Sequence, residues 1–288
     1  MQKKTVSLVL GSGGARGMAH IGIIKWLEAH DYKIESISGC SMGALIGGFY
    51  AAGKLDNYTQ WLQELDVIGI LKLLDFQGSG GLVSGTILMK KLEDLVGDYN
   101  IEDLPIKFTA VASDINQEKE VWMSTGSLLS AIRASISLPL FFTPHLYKGN
   151  LLVDGGVLNP VPIAPTFHDH TDITIAVNLG GKVDLSLQVK ETMIDDADDS
   201  IGAKISNYLK QVKLPNVVNF EEGVYKVADN SFDAMQGTIA RMKLAAYPPD
   251  VEIEVPRNLC GTLEFNRADE IIEYGYNLCD RLHKEGLL

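Results

Sequence analysis

Gly39-Cys40-Ser41-Met42-Gly43 carries the spacing GxSxG, with an apolar run before it and small residues after it. At a strand-to-helix junction that pattern sets the serine on a sharp turn and lifts its Oγ clear of the chain. Gly39 and Gly43 leave room for such a turn. A helix starting after Ser41 aims its positive end at the hydroxyl and favours negative charge there. The chemistry would be nucleophilic attack. A plain tight turn containing a serine also fits five residues, because the pattern is short.

Gly11-Ser12-Gly13-Gly14-Ala15-Arg16-Gly17 is a glycine-rich turn between a strand-like and a helix-like run. Its main-chain N–H groups are of the kind that bind a phosphate or stabilise an oxyanion. A dinucleotide fingerprint competes for these residues. Counted from Gly11, it puts Arg16 where the third glycine belongs, with Gly17 one place late, although Asp31 lies at a suitable distance. No Gly-Lys-Ser/Thr follows to make a Walker loop. The glycine turn and the serine turn end consecutive strands, so they should meet at one sheet edge, which favours the oxyanion reading.

Asp154-Gly155-Gly156 follows the short apolar run Leu151-Leu152-Val153. An aspartate at the C-terminal end of a strand faces the crevice where α/β sheets hold ligands. Alone, the tripeptide is equally a simple turn. A serine hydrolase commonly uses a histidine base, and the chain has six histidines. None stands in a motif. His20 reads as structural, His30 and His283 fall near helix C-termini, and His145, His168 and His170 lie in loop-like sequence. The order Ser41, Asp154, later His would suit an α/β-hydrolase, but only about two strands precede Ser41, too few for that fold.

The elements that must position these groups follow from apolar periodicity. Strands are predicted at 5–10, 34–38, 107–112, 120–123, 151–153, 173–178 and 251–255. Helices are predicted at 18–29, 44–52, 58–76, 88–96, 128–135 and 269–283, with Gly78-Ser79-Gly80-Gly81 as a flexible turn. The opening βαβα order implies a parallel sheet with helices on its faces. From about 181 to 248 the sequence turns polar and includes Asp195, Asp196, Asp198 and Asp199. That stretch reads as a peripheral insertion or layer. No internal repeat or long linker divides the chain, so residues 1–288 read as one domain, with a motif-bearing core at about 5–180 and a closing strand and helix at 249–288.

Composition narrows the class. The 288 residues are 46% hydrophobic and 22% charged, which suits a packed core and excludes a disordered chain, a collagen and a coiled coil. The net charge of −12 repels phosphate backbones, so nucleic acid is not an expected partner. Three cysteines make no disulfide framework and fit a reducing compartment. The apolar run Val6–Leu10 is too brief for a signal-peptide core, and no run is long enough to span a bilayer. A cytoplasmic protein is expected.

Taken together, the strings GSGGARGMAHIG at 11–22, GCSMG at 39–43 and DGG at 154–156 resemble the patatin-like phospholipases. RASISLPLFF at 133–142 and VLNPVP at 157–162 extend the likeness, which is clear over about 5–180 and thinner from Val251 onward. The resemblance implies an α/β, three-layer fold with a mainly parallel central sheet and helices on both faces. It implies a serine hydrolase cleaving acyl esters of phospholipids or lysophospholipids through a Ser-Asp dyad without histidine, with Ser41 as nucleophile and Asp154 as base. Gly11, Gly13, Gly14, Ala15 and Arg16 would make the oxyanion-hole loop, Gly39 and Gly43 the nucleophile elbow, and Gly155 and Gly156 the turn behind the aspartate. For Arg16 an ion pair holding the loop is an equal alternative. Cys40 takes a place where a smaller or hydroxylated residue is more usual and should point away from the site.

The scheme calls for no cofactor and no metal, and DDADDS at 195–200 lacks a calcium-loop pattern. A carboxylate of ordinary pKa, about 4, is a weak base for an alcohol, so the oxyanion hole and helix dipole would carry much of the barrier lowering. The apolar segment Val67–Phe76 and the pair Phe141 and Phe142 are candidates for an acyl channel, with core packing as the alternative. The expected partner is a lipid or acyl-ester substrate, with transient contact at a membrane surface and cytoplasmic or peripheral localisation. A non-catalytic lipid-binding or regulatory protein on the same scaffold, and a nucleotide binder, are the alternatives.

Overall fold

In the computed structural model, residues 3–77, 82–187 and 222–288 are described. The turn at 78–81 and the acidic cluster at 195–199 lie outside them. The chain opens with β1 (Lys4–Leu10), a 3-10 turn (Gly14–Met18), α1 (Ala19–Ala29), β2 (Tyr32–Cys40) and α2 (Met42–Ala51). Next come α3 (Leu55–Gln63), α4 (Val67–Lys72), the two-residue strands β3 (Phe76–Gln77) and β4 (Leu82–Val83), and α5 (Thr86–Val96). The middle holds β5 (Lys107–Asp114), β6 (Lys119–Met123), α6 (Leu128–Ser135), β7 (His145–Tyr147), β8 (Asn150–Asp154) and β9 (Ile173–Gly181). α7 (Glu222–Ala246), β10 (Val251–Pro256) and α8 (Ala268–Lys284) close it.

Five strands, β10, β9, β1, β2 and β5, run parallel in that order. β6 and β8 pair antiparallel with β5, and β7 with β8, so the sheet is mixed at one end. Side chains alternate across a strand. On β1, Leu8 and Leu10 join the main core while Val9 joins a second cluster with Ala176, Ala240 and Leu244. α7 supplies the last two, so helices do cover both faces. α1 and α8 cross closely on the main-core side: a Cβ on Gly22 would lie 1.9 Å from the Ile272 carbonyl oxygen.

One expected element needs correction. The apolar run 58–76 is not one helix. It breaks after α3, because Asp66 adopts an extended N-cap conformation and its carboxylate accepts the Gly69 N–H, starting α4 afresh. The C-terminal part of the polar stretch is the 25-residue α7.

The registers on β5 bring the candidate residues together. Cys40 of β2 is opposite Val111, and Asp154 of β8 is opposite Ala112. Ala110 and Val111 pair with both β2 and β6, and Ala112 to Asp114 with both β6 and β8. A strand has two edges, so β2 and β8 must share one. They approach from opposite directions and end at adjacent β5 residues. The turn after β2 therefore meets the last residue of β8.

Candidate active site

Ser41 sits between β2 and α2 with φ 54° and ψ −127°. That conformation is strained for any residue with a side chain. The flanking glycines are required by close approach rather than by φ. A Cβ on Gly39 would lie 2.4 Å from the Gly43 carbonyl oxygen, and one on Gly43 would lie 2.0 Å from the Leu10 carbonyl oxygen. The Ser41 carbonyl accepts the Ala44 and Leu45 amides and so begins α2. Its own N–H donates to Ser135 Oγ at 2.9 Å, and Ser135 in turn donates to the Val111 carbonyl at 2.7 Å. Ser135 lies in the family-like segment 133–142, where no sequence pattern marks a task for it.

The Ser41 hydroxyl donates to Asp154 Oδ2 at 2.5 Å. Asp154 is fully buried and Ser41 is 8% exposed. The other carboxylate oxygen, Oδ1, accepts the Gly156 N–H at 2.7 Å. Burial pushes the Asp154 pKa up to about 7, against the bonds from Ser41 and Gly156, which pull it down. The expectation of an ordinary carboxylate near 4 is thus corrected: this group's proton affinity is matched to neutral pH. Gly155 is packed so tightly that a Cβ would lie 2.1 Å from the Val111 carbonyl oxygen.

None of the six histidines bonds to either residue. His20 is buried and its Nε2 lies 2.9 Å from the Gly11 carbonyl. Burial lowers its pKa to about 4, so it is neutral near pH 7. A carbonyl only accepts, so Nε2 carries the proton and His20 fixes the glycine turn from behind. His145 meets Ser130, and His30 and His283 meet main-chain carbonyls. Cys40 donates from Sγ to the Pro160 carbonyl, away from the nucleophile, and burial raises its pKa.

The glycine loop divides in a way its sequence did not reveal. Gly11 N–H donates to Val177 O and Ala15 N–H to Thr262 O, so neither points at the site. Gly14 and Ser41 are both in the wall of one cavity. Among the described residues, the N–H groups of Gly13 and Gly14 have no protein acceptor. Gly14 needs its glycine: φ is 56°, and a Cβ would lie 2.6 Å from Thr262 O. Of the loop residues expected in a cradle, Gly11 and Ala15 therefore have their N–H groups engaged elsewhere. Arg16 takes the ion-pair alternative. Its guanidinium grips Asp233 of α7 with two bonds, 2.9 and 3.1 Å, and also donates to Arg257 O. Gln236 of α7 adds a bond to Ser12 Oγ, and Lys243 bonds Glu120, which also accepts from Asn159 in the aspartate loop. α7 therefore braces both loops, a role the sequence did not disclose.

The cavity beside Ser41 is almost wholly apolar. Leu45, Trp61, Ile70, Leu74, Leu88 and Phe142 are in its wall, as is Phe141. The Phe141 and Phe142 expectation and the inner side of 67–76 both meet the site. Arg133 braces this wall: it donates to the Ser84 and Thr143 carbonyls and lies over the Phe142 ring. Among the described residues no cluster of histidine, cysteine or carboxylate side chains could hold a metal ion, and no helix is long and apolar enough to cross a membrane.

A family model described as patatin-like phospholipase matches residues 8–167. An uncharacterised NTE family protein of Mycobacterium bovis is 37% identical over 94% of this chain and 89% of its own length. A lysophospholipase, NTE1, of Coccidioides immitis is 29% identical over 98% of this chain, which spans 18% of that protein. VipD from Legionella pneumophila superposes with a TM-score of 0.47 at 13% identity, over 99% of this chain and 67% of that one.

Proposed function

We propose, from the premise that this chain belongs to the patatin-like phospholipase family, that it hydrolyses the acyl ester of a phospholipid or lysophospholipid with Ser41 as nucleophile and Asp154 as base. The observation that carries this reading is the 2.5 Å bond between Ser41 Oγ and the buried Asp154 carboxylate.

Ser41 Oγ attacks the ester carbonyl carbon as its proton passes to Asp154 Oδ2. The carbonyl π pair moves onto oxygen, where the Gly13 and Gly14 amides and the positive end of α2 receive the charge. Collapse expels the alcohol, which takes the proton back from Asp154. Water then attacks the acyl-serine, Asp154 accepts its proton, and the fatty acid leaves as Ser41 regains its own. A base with pKa about 7 stays ionised in half the molecules at neutral pH while holding a proton far better than an ordinary aspartate.

The apolar cavity takes the acyl chain. Ile68, 60% exposed on α4, and Leu140, 61% exposed beside Phe141, flank its wall residues and are the side chains that would touch a lipid surface. The test combines a fluorophosphonate probe with hydrolysis of lysophosphatidylcholine. Wild type should label and turn over, Ser41→Ala should do neither, and Asp154→Asn should lose turnover by about a thousand-fold or more, the scale of general-base loss in such sites. Labelling that survives in Ser41→Ala would remove this reading, and a wild type that binds lipid without turnover would support a non-catalytic scaffold.

A further inference from the structure

Two residues of one short segment hold the main-chain amides of both candidate catalytic residues. Ser135 Oγ accepts the Ser41 N–H at 2.9 Å, and the Ser137 carbonyl accepts the Asp154 N–H at 2.9 Å. We propose that Ser135 is a positioning residue and that the segment 135–137 is a bracket setting the distance between Ser41 and Asp154. The proposal rests on the hydrolase reading above and adds to it the group that keeps the dyad in register.

The bracket is itself fixed. Ser135 is the last residue of α6, and the Ile136 and Ser137 amides continue its hydrogen bonding to Ile132 and Ala134. Ser137 Oγ donates to the Arg133 carbonyl and accepts from the Arg133 guanidinium. Ser135 and Ser137 are both fully buried, so neither bond is exchanged with water. The Ser135 hydroxyl has its single proton committed to Val111 O at 2.7 Å, which leaves its lone pair directed to Ser41. Val111 is the β5 residue opposite Cys40, and its carbonyl is the one against which Gly155 packs. One hydroxyl therefore links the nucleophile's amide to the strand that also registers Asp154.

The need for this bond follows from the elbow. At φ 54° Ser41 turns its N–H out of the β2 ladder and out of the α2 helix, so neither element supplies an acceptor. Among the described residues, Ser135 is the acceptor it has. Without it the strained turn can relax, and the Ser41 hydroxyl drifts from Asp154. Ile136, between the two serines, is in the cavity wall, so the bracket also borders the acyl site.

The test is Ser135→Ala, with Ser135→Cys as a near-isosteric second variant whose sulfur is a weaker acceptor. Rates are expressed per active site titrated with fluorophosphonate, so that partial unfolding does not count as loss of catalysis. Ser135→Ala should lower kcat at least ten-fold with KM within two-fold. Its pH–rate profile should shift its acidic limb to higher pH, because the Ser41 bond that lowers the Asp154 pKa is weakened. Ser135→Cys should fall between. If Ser135→Ala does not fold, Ser135→Cys decides by the same two readouts. A wild-type kcat per titrated site with an unmoved limb, in whichever variant folds, would overturn the bracket. Ser41→Ala tests the underlying reading separately: turnover that persists there sinks the hydrolase assignment, whereas Ser41-dependent turnover indifferent to position 135 sinks the bracket alone.

Discussion

Ser41 and Asp154, 113 residues apart in sequence, are joined by a 2.5 Å hydrogen bond inside the protein. They meet because β2 and β8 end head to head along one edge of β5, opposite Val111 and Ala112. The bond is geometric, but the buried carboxylate also makes it a pH-sensitive one.

The first expectation concerns rate against pH. Asp154 must be ionised to accept the serine proton, and its pKa is raised to about 7. The kcat/KM for a lysophospholipid should therefore rise about ten-fold per pH unit below pH 7 and level off above it. A profile flat down to pH 5 would show that Asp154 titrates like an ordinary carboxylate or that it is not the base.

Stability should run the other way. Between about pH 4 and pH 7 the folded protein keeps a proton on Asp154 that the unfolded chain has lost, so stability contributed by this group declines as pH rises through that window. The buried charge then costs of the order of a few kcal/mol at pH 8. Asp154→Asn should unfold at higher temperature than wild type at pH 8, with the gap closing near pH 4. A gap that stays constant with pH, followed by calorimetry, would contradict this.

Backbone strain at the elbow gives a third test. Ser41→Ala and Ser41→Gly both lose the hydroxyl, but only glycine tolerates φ 54° without cost. Ser41→Gly should be the more stable of the two by about 1 kcal/mol. Denaturant midpoints of the two inactive variants measure the difference, and equal midpoints would mean the turn has relaxed.

Arg16 and Asp233 should behave as a coupled pair. The guanidinium is buried and bidentate on a carboxylate that is 27% exposed. A double-mutant cycle with Arg16→Ala and Asp233→Ala should give a coupling of about 1–2 kcal/mol. Because the pair joins the glycine loop to α7, Asp233→Ala should also lower kcat, by about three- to ten-fold, through a loosened Gly13–Gly14 cradle. Additive effects on stability would show that the ion pair holds nothing in place.

On the proposed reading, the apolar cavity beside Ser41 limits acyl-chain length. Leu74→Trp adds bulk at its wall. Hydrolysis of a palmitoyl ester should fall about ten-fold, the scale of a steric change in an apolar pocket. Hydrolysis of an acetyl ester should stay within about two-fold of wild type. Equal losses on both esters would show that the long chain lies elsewhere.

The sequence by itself determined the local parts. GxSxG between an apolar run and a small-residue helix, DGG after a short strand, and alternating strands and helices all depend on neighbours within a few residues, where steric and hydrogen-bonding rules act directly. Ser41, Asp154, the glycine loop and the α/β class were legible for that reason, as was the apolar character around Phe141 and Phe142. Tertiary structure alone decided which loop amides stay available, since Gly11 and Ala15 donate to partners on β9 and beyond α7. It decided that Arg16 pairs with Asp233. It also decided that the Asp154 carboxyl has a pKa raised to about 7, because burial is a property of everything packed around a group and not of the group's place in the chain.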